Sequence, residues 1–291
     1  MTVEVFDGHA CELGEGPVWD DRSGELIWVD ILRAQVHRRA LRTEAVRTTE
    51  TFPDAVGCVA LRDNGGWAMA TAAGPALRSP GGDPQLVATY TDLDGAAPPT
   101  PVRGNDGGVD PAGRLWFGTI AWDMTPEVAS LYRLDPHTGR TVRILSGISV
   151  SNGLGWSPDG ATMYFIDSPT RRVDAFDYDA ATGNATRRRA LAVMPEGAGL
   201  PDGCCVDRDG GVWVAMFGGG CVLRFAADGT LNHRIDLPTP QVTSCAFVGA
   251  DLDRLAVTTA AADLPDPDTV AGATFLADPG VRGLAVPRFA G

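Results

Sequence analysis

Four side chains with oxygen donors stand at the same place in a repeated segment of the chain, and together they could bind a metal ion. They are Glu15, Asn105, Asn152 and Asp202. Carboxylate and amide oxygens are preferred by Ca²⁺ and Mg²⁺ and are also accepted by Mn²⁺ and Zn²⁺. If these groups converged on a narrow space, they would repel one another or lack partners unless a divalent cation lay between them. Three protein ligands with open positions left over are typical of a catalytic site.

Local turn structure is an alternative interpretation of the same residues. Asn152 and Asp202 are each followed by glycine, and Asn-Gly and Asp-Gly pairs are common turn signals. Glu15 is not a residue that turns favour, and all four positions share one register. The shared register therefore favours a metal site over four unrelated turns.

An internal repeat in the sequence predicts the β-strands that carry these side chains. Six segments consist of a small-residue turn, a short apolar strand, a polar turn and a second apolar strand. They begin at Gly16, Gly57, Asp106, Gly153, Gly203 and Ser244. The residues directly before them are 41 to 50 positions apart, which is typical of four-stranded β-propeller blades.

A third and a fourth strand can be recognised after most of these segments, joined by tight turns such as residues 135–139 and 179–183. No helical periodicity of useful length is present. The sequence therefore predicts an all-β fold, with residues 1–291 forming a single six-bladed β-propeller of four antiparallel strands per blade. The N-terminal segment TVEVF is expected to pair with the last blade and close the ring. A barrel or sandwich is the structural alternative, but neither requires six repeats in one register.

In a propeller, the first strand of each blade lines a central channel, and these strands meet at one opening. The predicted ring around that opening consists of Glu15, Val56, Asn105, Asn152, Asp202 and Thr243. Arg103 precedes Asn105 by two residues and could hydrogen-bond a substrate or form a surface salt bridge. Trp122 and Asp123 follow a predicted strand, in a loop that either crosses the opening or lies free on the surface.

Charge and hydropathy exclude several classes of function. The net charge of −13 disfavours nucleic-acid binding, because phosphate groups are bound by clustered cationic residues. The start of the chain does not have the pattern of a secretion signal, and no apolar run reaches about 18 residues. These features predict a cytoplasmic protein that does not contact a membrane.

The cysteines and histidines form no recognisable motif. None of the six cysteines belongs to a CxxC pair and no pair of histidines accompanies them, which disfavours a thiolate zinc site. The four histidines occupy unrelated places in the repeat, and the nucleophile motif G-x-S-x-G is absent. The cysteines are expected to be small buried residues in a reducing compartment.

Taken as a set, six stretches of the chain resemble the senescence marker protein-30/gluconolactonase family, also described as regucalcin-like. They are LGEGPVW (13–19), RGNDGGVDPAGRLWFGT (103–119), ISVSNGLGWSPDG (148–160), YFIDS (164–168), VDAFDYDAATG (173–183) and LPDGCCVDRDGGVWVA (200–215). The resemblance covers nearly the whole chain and implies one divalent cation, with Ca²⁺ or Zn²⁺ ahead of Mn²⁺ or Mg²⁺. The ligands that it implies are Glu15, Asn152 and Asp202.

The resemblance also implies roles for individual side chains. Arg103 and Asn105 match residues that contact substrate in the family, and Asp202 matches the residue regarded as the catalytic base. Asp123 is the nearest match to a glutamate in the substrate-contacting lid loop of the animal members. Because aspartate is shorter by one methylene, the preferred sugar stays open.

The activity that the resemblance implies is hydrolysis of a sugar lactone, in particular an aldonolactone. The cation would polarise the lactone carbonyl while Asp202 assists the attack of water, and Arg103 and Asn105 would orient the sugar hydroxyls. Two alternatives remain open: a hydrolase of phosphotriesters or phosphofluoridates, and a calcium-binding regulatory propeller without turnover. The expected partner is a small-molecule lactone, and the expected assembly is a monomer or a weak homodimer.

Overall fold

Six antiparallel sheets of four strands each make up the protein in a computed structural model that describes residues 2–42, 44–194, 196–264 and 270–291. The sheets are arranged as the blades of a propeller, and the first strand of each repeat lies innermost in its blade. The predicted six-bladed all-β fold is therefore confirmed.

The first three blades follow the chain in order, from the innermost to the outermost strand. Blade one consists of β2 (Gly14–Asp20), β3 (Glu25–Asp30), β4 (Gln35–Ala40) and β5 (Thr48–Thr51). Blade two consists of β6 (Val56–Leu61), β7 (Trp67–Thr71), β8 (Pro75–Arg78) and β9 (Gln85–Leu86). Blade three consists of β10 (Val102–Val109), β11 (Leu115–Ala121), β12 (Ala129–Leu134) and β13 (Thr141–Ile148).

The last three blades complete the ring. Blade four consists of β14 (Ser151–Trp156), β15 (Thr162–Asp167), β16 (Arg172–Asp179) and β17 (Asn184–Val193). Blade five consists of β18 (Leu200–Val206), β19 (Val212–Phe217), β20 (Cys221–Phe225) and β21 (Leu231–Asp236). Blade six consists of β22 (Val242–Val248), β23 (Arg254–Thr259), β24 (Thr274–Ala277) and the N-terminal strand β1 (Val3–Asp7).

The N-terminal strand closes the ring, as the sequence predicts. Val3 of β1 pairs with Ala277 of β24, and Val5 pairs with Phe275. Blade six is thus built from both ends of the described chain. The arrangement covers the edge of β24, which would otherwise present unpaired backbone groups to solvent.

Burial decreases from the inner to the outer strands of a blade. All seven residues of β11 are buried, because the inner strands of each blade pack between the two neighbouring blades. The outermost strand β17 is mostly exposed and carries the Arg187–Arg189 run, whose charges pair with Asp174 and Asp177. The tryptophans of the repeat are buried between the blades and form core contacts, with Trp28, Trp116 and Trp213 almost completely enclosed.

Two features of the fold are not recognisable from the sequence pattern. A short helix, α1 (Tyr90–Asp94), follows blade two and begins with a capping box between Thr89 and Asp92. The outer strands of blade two, β8 and β9, are only four and two residues long. Among the described residues, no helix is long and apolar enough to cross a membrane.

Candidate functional site

All six inner strands have an irregularity in their pairing at the predicted ring position. The register with the second strand shifts within residues 15–18, 56–58, 104–107, 152–154, 201–204 and 242–244. A β-bulge interrupts the regular alternation of side chains and redirects them locally. The bulges therefore give the side chains at the ring positions directions that they would not have in a regular strand.

A chain of hydrogen bonds joins three of the blades at this level. The Nη1 atom of Arg103 donates to Asn105 Oδ1 at 2.7 Å, and Asn105 Nδ2 donates to Asn152 Oδ1 at 2.8 Å. Asn152 Nδ2 then donates to Ser168 Oγ at 2.8 Å, and Ser168 Oγ donates to the carbonyl of Pro201 at 2.6 Å. Because Pro201 directly precedes Asp202, the network fixes the two predicted amide groups relative to the strand that carries the predicted base.

Three carboxyl groups lie close to this network, and all are buried. Burial raises the pKa of Glu15 to about 8, with a further contribution from Asp106. Burial also raises the pKa of Asp106 to about 6. For Asp202, burial and then the charges of Glu15 and Asp106 raise the pKa well above its ordinary value of 3.8. Arg103, whose pKa burial lowers to about 10, is the cation that acts on Glu15 and Asp202.

The donor set fits a hard divalent cation. Three ionised carboxylates beside one guanidinium leave an excess of negative charge that a buried site does not tolerate. Asp202 Oδ1 is buried and has no hydrogen-bond partner among the described residues, so a lone pair remains for a ligand. Within the described part of the chain, Glu15 Oε2 accepts a single hydrogen bond, from the adjacent Gly16 amide at 2.9 Å. Glu15, Asn152 and Asp202, the three predicted ligands, supply oxygens suited to such an ion.

The two remaining ring positions are used for packing. Val56 is buried in the apolar core between blades one and two. Thr243 Oγ1 donates to the carbonyl of Gly14 at 2.5 Å and also contacts Thr258 Oγ1 at 2.9 Å, which ties blade six to blade one. Neither residue therefore adds a free donor to the polar cluster.

Asp106 is a member of the cluster that sequence reasoning missed. The Asp-Gly-Gly stretch that it begins has the composition of a turn, but the residue lies within β10 and its side chain is buried. Its charge acts on Glu15, on Asp202 and on the nearby thiols of Cys58 and Cys204. Asp106 could have been predicted from its position, because it directly follows Asn105 and begins a repeat.

Among the described residues, Asp123 forms no hydrogen bond or ion pair with the members of the cluster. Its exposed carboxylate accepts hydrogen bonds from Thr100 Oγ1 at 2.9 Å and from the Thr125 amide at 3.0 Å. The preceding residue, Trp122, reaches the site instead: the Arg103 guanidinium lies 5.5 Å from the centre of its ring. The loop after β11 therefore borders the mouth of the site through a half-exposed indole.

A cavity of about 350 Å³ extends the channel beyond the ring. It is lined by the residues that follow the ring positions in all six inner strands, mostly apolar ones such as Val18, Val59 and Val109. Asp106 lines this cavity, whereas Glu15, Asn152 and Asp202 do not. Asp106 thus marks the boundary between the polar ring and an apolar channel.

Comparison with known proteins gives consistent matches along the chain. Residues 13–261 match the profile of the family described as SMP-30/Gluconolactonase/LRE-like region. Regucalcin from Danio rerio is 38% identical over 263 residues, which cover 89% of this chain and 87% of that protein. Pentonolactonase XacC from Haloferax volcanii is 37% identical over 263 residues, which cover 90% of this chain and 87% of that protein.

A solved structure agrees with these matches. Regucalcin from Agrobacterium tumefaciens, described as a calcium-binding protein, superposes with a TM-score of 0.89 and 31% sequence identity. The superposition covers 98% of this chain and 96% of the other. Because the family profile spans most of the sequence and the relatives align over nearly their whole length, this chain belongs to the SMP-30/gluconolactonase/LRE-like family.

Proposed function

We propose that the protein is a cation-dependent lactonase that hydrolyses a sugar lactone, in particular an aldonolactone. The observation that carries the proposal is the buried cluster of Glu15, Asp106 and Asp202, in which Asp202 Oδ1 has no partner among the described residues. The pentonolactonase among the relatives supports lactones as the substrate class. Ca²⁺ is the first candidate ion, since the A. tumefaciens relative is described as calcium-binding, with Zn²⁺, Mn²⁺ and Mg²⁺ as alternatives.

Glu15, Asn152 and Asp202 would hold the ion. When bound, a divalent cation supplies Lewis-acid polarisation of the substrate carbonyl and charge stabilisation of the oxyanion. The hydrogen bonds from Asn105 to Asn152 and from Asn152 to Ser168 hold the Asn152 amide with its oxygen on the side of the Asn105 side chain. An amide oxygen has two lone pairs, so this contact leaves one lone pair of Asn152 Oδ1 for a ligand.

Asp202 would act as the general base. Its unpartnered Oδ1 can accept a proton from the attacking water, while burial keeps bulk solvent away from that atom. Arg103 and Asn105 would orient the substrate through hydrogen bonds to its hydroxyl groups, because both belong to the same strand, β10, and are already held in place by their mutual contact. Trp122 would offer an apolar face to the sugar ring, and Asp123, the next residue in the same loop, would contact a substrate hydroxyl group.

The test is a pH-stat assay with a panel of five- and six-carbon aldonolactones, after chelation and re-addition of each cation. Asp202→Asn is expected to lower kcat by about 10²- to 10⁴-fold, the usual contribution of a general base. Asp228→Asn, which changes an exposed turn in blade five, serves as the control. Undiminished lactone hydrolysis by Asp202→Asn with cation bound would show that Asp202 is not the base.

The two alternative functions predict other results in the same assay. A phosphotriester hydrolase would turn over paraoxon-type esters faster than every lactone in the panel. A regulatory calcium-binding propeller would bind Ca²⁺ with the same ring residues and hydrolyse neither class. Lactone turnover that is lost on chelation and restored by a cation separates the proposed function from both.

A further inference from the structure

A second group of metal-ligating side chains lies outside the central channel, at the joint between the closing strand and blade one. It consists of His9, Cys11, Asp30 and His37. One potential ligand atom from each residue lies within 4.8 Å of those from the other three. His9 and Cys11 belong to the segment that links β1 to β2, Asp30 ends β3, and His37 lies in β4.

Two of these side chains have polar atoms that are buried without a partner. Nε2 of His9 and Nε2 of His37 have no hydrogen-bond partner in the described part of the chain. The His37 side chain is completely buried, and its other nitrogen, Nδ1, lies 2.9 Å from Thr49 Oγ1. A buried polar atom without a partner is unfavourable, so a ligand bound at Nε2 would remove that penalty.

The other two ligands are held in place by the backbone. Asp30 is fully buried and accepts hydrogen bonds from the amides of Glu12 at 2.8 Å and Leu13 at 3.1 Å. Arg33 Nη1 also lies 3.5 Å from Asp30 Oδ2, so these contacts fix the carboxylate and leave a lone pair of Oδ1 free. The amide of Cys11 donates to the carbonyl of Gly272 at 3.1 Å, which anchors the thiol against blade six. The group is therefore assembled before any ion arrives.

We propose that His9, Cys11, Asp30 and His37 bind one zinc-class cation that fastens the closing strand to blade one. Two imidazoles, a thiolate and a carboxylate form a donor set that suits a borderline-soft ion such as Zn²⁺ and does not suit Ca²⁺ or Mg²⁺. Four protein ligands fill a tetrahedral shell, which is the pattern of a structural site rather than a catalytic one.

The dimensions of the group agree with this assignment. Zinc bonds of about 2.0–2.3 Å place tetrahedral ligand atoms roughly 3.3–3.7 Å apart. The ligand atoms, at most 4.8 Å apart, reach that shell by side-chain shifts on the order of 1 Å. Thr49 would hold the His37 ring from behind, as hydrogen-bonded groups commonly do for metal-binding imidazoles.

Cobalt(II) is the probe that distinguishes this site from the channel. Cobalt bound through the Cys11 thiolate absorbs in the near ultraviolet by sulfur-to-metal charge transfer, whereas cobalt bound to the oxygen ligands of the ring does not. We expect this band in the reduced wild-type protein and in Asp202→Asn, which alters only the ring. The band should be absent in Cys11→Ser and retained in Cys221→Ser, a buried cysteine of blade five outside the group.

His9→Gln provides a second variant that is less disruptive, because His9 is only partly buried. Its dissociation constant for Zn²⁺ at this site is expected to rise at least tenfold, measured in competition with a chromophoric chelator. In the Asp202→Asn background, where the ring is altered, Zn²⁺ should raise the melting temperature, and the added His9→Gln substitution should abolish that rise. Absence of the band from the wild type, or its full intensity in Cys11→Ser, would overturn the inference. Either result would leave the proposed lactonase untouched, because the ring uses other residues.

Discussion

At the scale of single residues, the central question is how one channel tolerates three buried carboxyl groups. Glu15, Asp106 and Asp202 lie near one guanidinium, that of Arg103, and burial raises the pKa of all three. Because the pKa of Glu15 is about 8, Glu15 in the cation-free site retains its proton at neutral pH. A divalent cation displaces that proton, so cation binding and proton release are coupled at this site.

Asp106 tests how far the charge of the site extends beyond the three predicted ligands. We expect Asp106→Asn to weaken Ca²⁺ binding by about 10- to 100-fold, because the substitution removes a buried negative charge beside the ligands without changing the side-chain shape. Isothermal titration with Ca²⁺ measures the effect, and Asp228→Asn in an exposed turn is the control for net charge. An unchanged Ca²⁺ affinity in Asp106→Asn would mean that only the charges of the ligands themselves affect cation binding.

The pH dependence of stability follows from the same shifts. Glu15 has a pKa of about 8 in the folded chain against an ordinary value of 4.5, so between these values the folded state binds more protons than the unfolded state. The stability that protonated Glu15 contributes is complete below about pH 4.5 and is lost as the pH rises through about 8. Without a divalent cation, the free energy of unfolding should therefore decrease from pH 5 to pH 8.

Urea denaturation of chelated protein at several pH values measures this decrease, and Glu15→Gln isolates the contribution of one residue. The variant lacks the ionisable group, so the difference in unfolding free energy between Glu15→Gln and the wild type should widen as the pH rises. A difference that stays constant from pH 5 to pH 8 would mean that Glu15 ionises in the folded chain at an ordinary pKa. Saturating Ca²⁺ should flatten the wild-type profile, because the cation replaces the protons.

The repeat in the sequence predicts site residues that occur once per blade at the same position. Glu15, Asn105, Asn152 and Asp202 stand in one register, and all four side chains are buried where the inner strands have bulges. The repeat predicts one channel residue per blade, and Asp106 was missed because it directly follows the residue predicted for blade three, Asn105. In a regular strand, successive side chains point to opposite faces. The pairing shift between Gly104 and Gly107 breaks this alternation at Asn105 and Asp106, and both side chains are buried.

At the scale of elements, the bulges require glycine at positions where neighbouring inner strands approach closely. Gly57 follows the ring position of blade two, and a Cβ atom there would lie 2.4 Å from the carbonyl oxygens of Gly104 and Asn105. Those oxygens belong to the backbone of blade three and cannot rotate away. The close approach of β6 and β10 therefore helps to set the position of Asn105 and Arg103.

Gly57→Ala is expected to lower the unfolding free energy by about 1–3 kcal/mol, the usual cost of overpacking, and to raise KM for the lactone by displacing Asn105. Gly82→Ala is the matched control, since a Cβ atom there would meet its nearest neighbour at 3.6 Å, an ordinary contact. Denaturant unfolding and steady-state kinetics measure the two effects. Wild-type KM in a destabilised Gly57→Ala would separate strand packing from substrate positioning.

The linking segment between β1 and β2 contributes to a group of metal-ligating side chains that residue spacing in the sequence does not predict. The spacing of the cysteines and histidines disfavours a thiolate metal site, yet His9 and His37 meet Cys11 once blade one folds against the closing strand. The four residues come from three parts of the joint, namely the linking segment, β3 and β4, so no short motif contains all of them. Ring positions repeat with the blades and can be predicted, whereas a junction occurs once and has no internal copy for comparison.

At the scale of the whole molecule, the ring closes through one short strand. Phe6 is buried on β1 and lies with its ring centre 6.3 Å from that of Trp28 in blade one, in an edge-to-face arrangement. The same apolar cluster contains Phe247 and Phe275 of blade six. Phe6 therefore packs at the boundary where the last blade meets the first, and the neighbouring Val5 is 47% exposed.

Phe6→Ala is expected to destabilise the protein by about 3 kcal/mol, because it removes a buried aromatic ring from the closure. Val5→Ala, one position earlier on the same strand, should change the unfolding free energy by less than about 0.5 kcal/mol. Urea denaturation measures both variants. Comparable losses in the two variants would mean that the backbone pairing of β1, rather than the packing of Phe6, holds the closing strand.

Hydrogen exchange would show which blades lose stability in Phe6→Ala. If the ring opens at its closure before it unfolds elsewhere, the amides of blades one and six should exchange faster in Phe6→Ala, while those of blades three and four keep wild-type protection. Uniform loss of protection in all six blades would indicate that the propeller unfolds as one cooperative unit. Because the channel residues come from blades one, three, four and five, early opening at the closure would release Glu15 first. Ca²⁺ affinity in Phe6→Ala should then fall together with the protection of blade one.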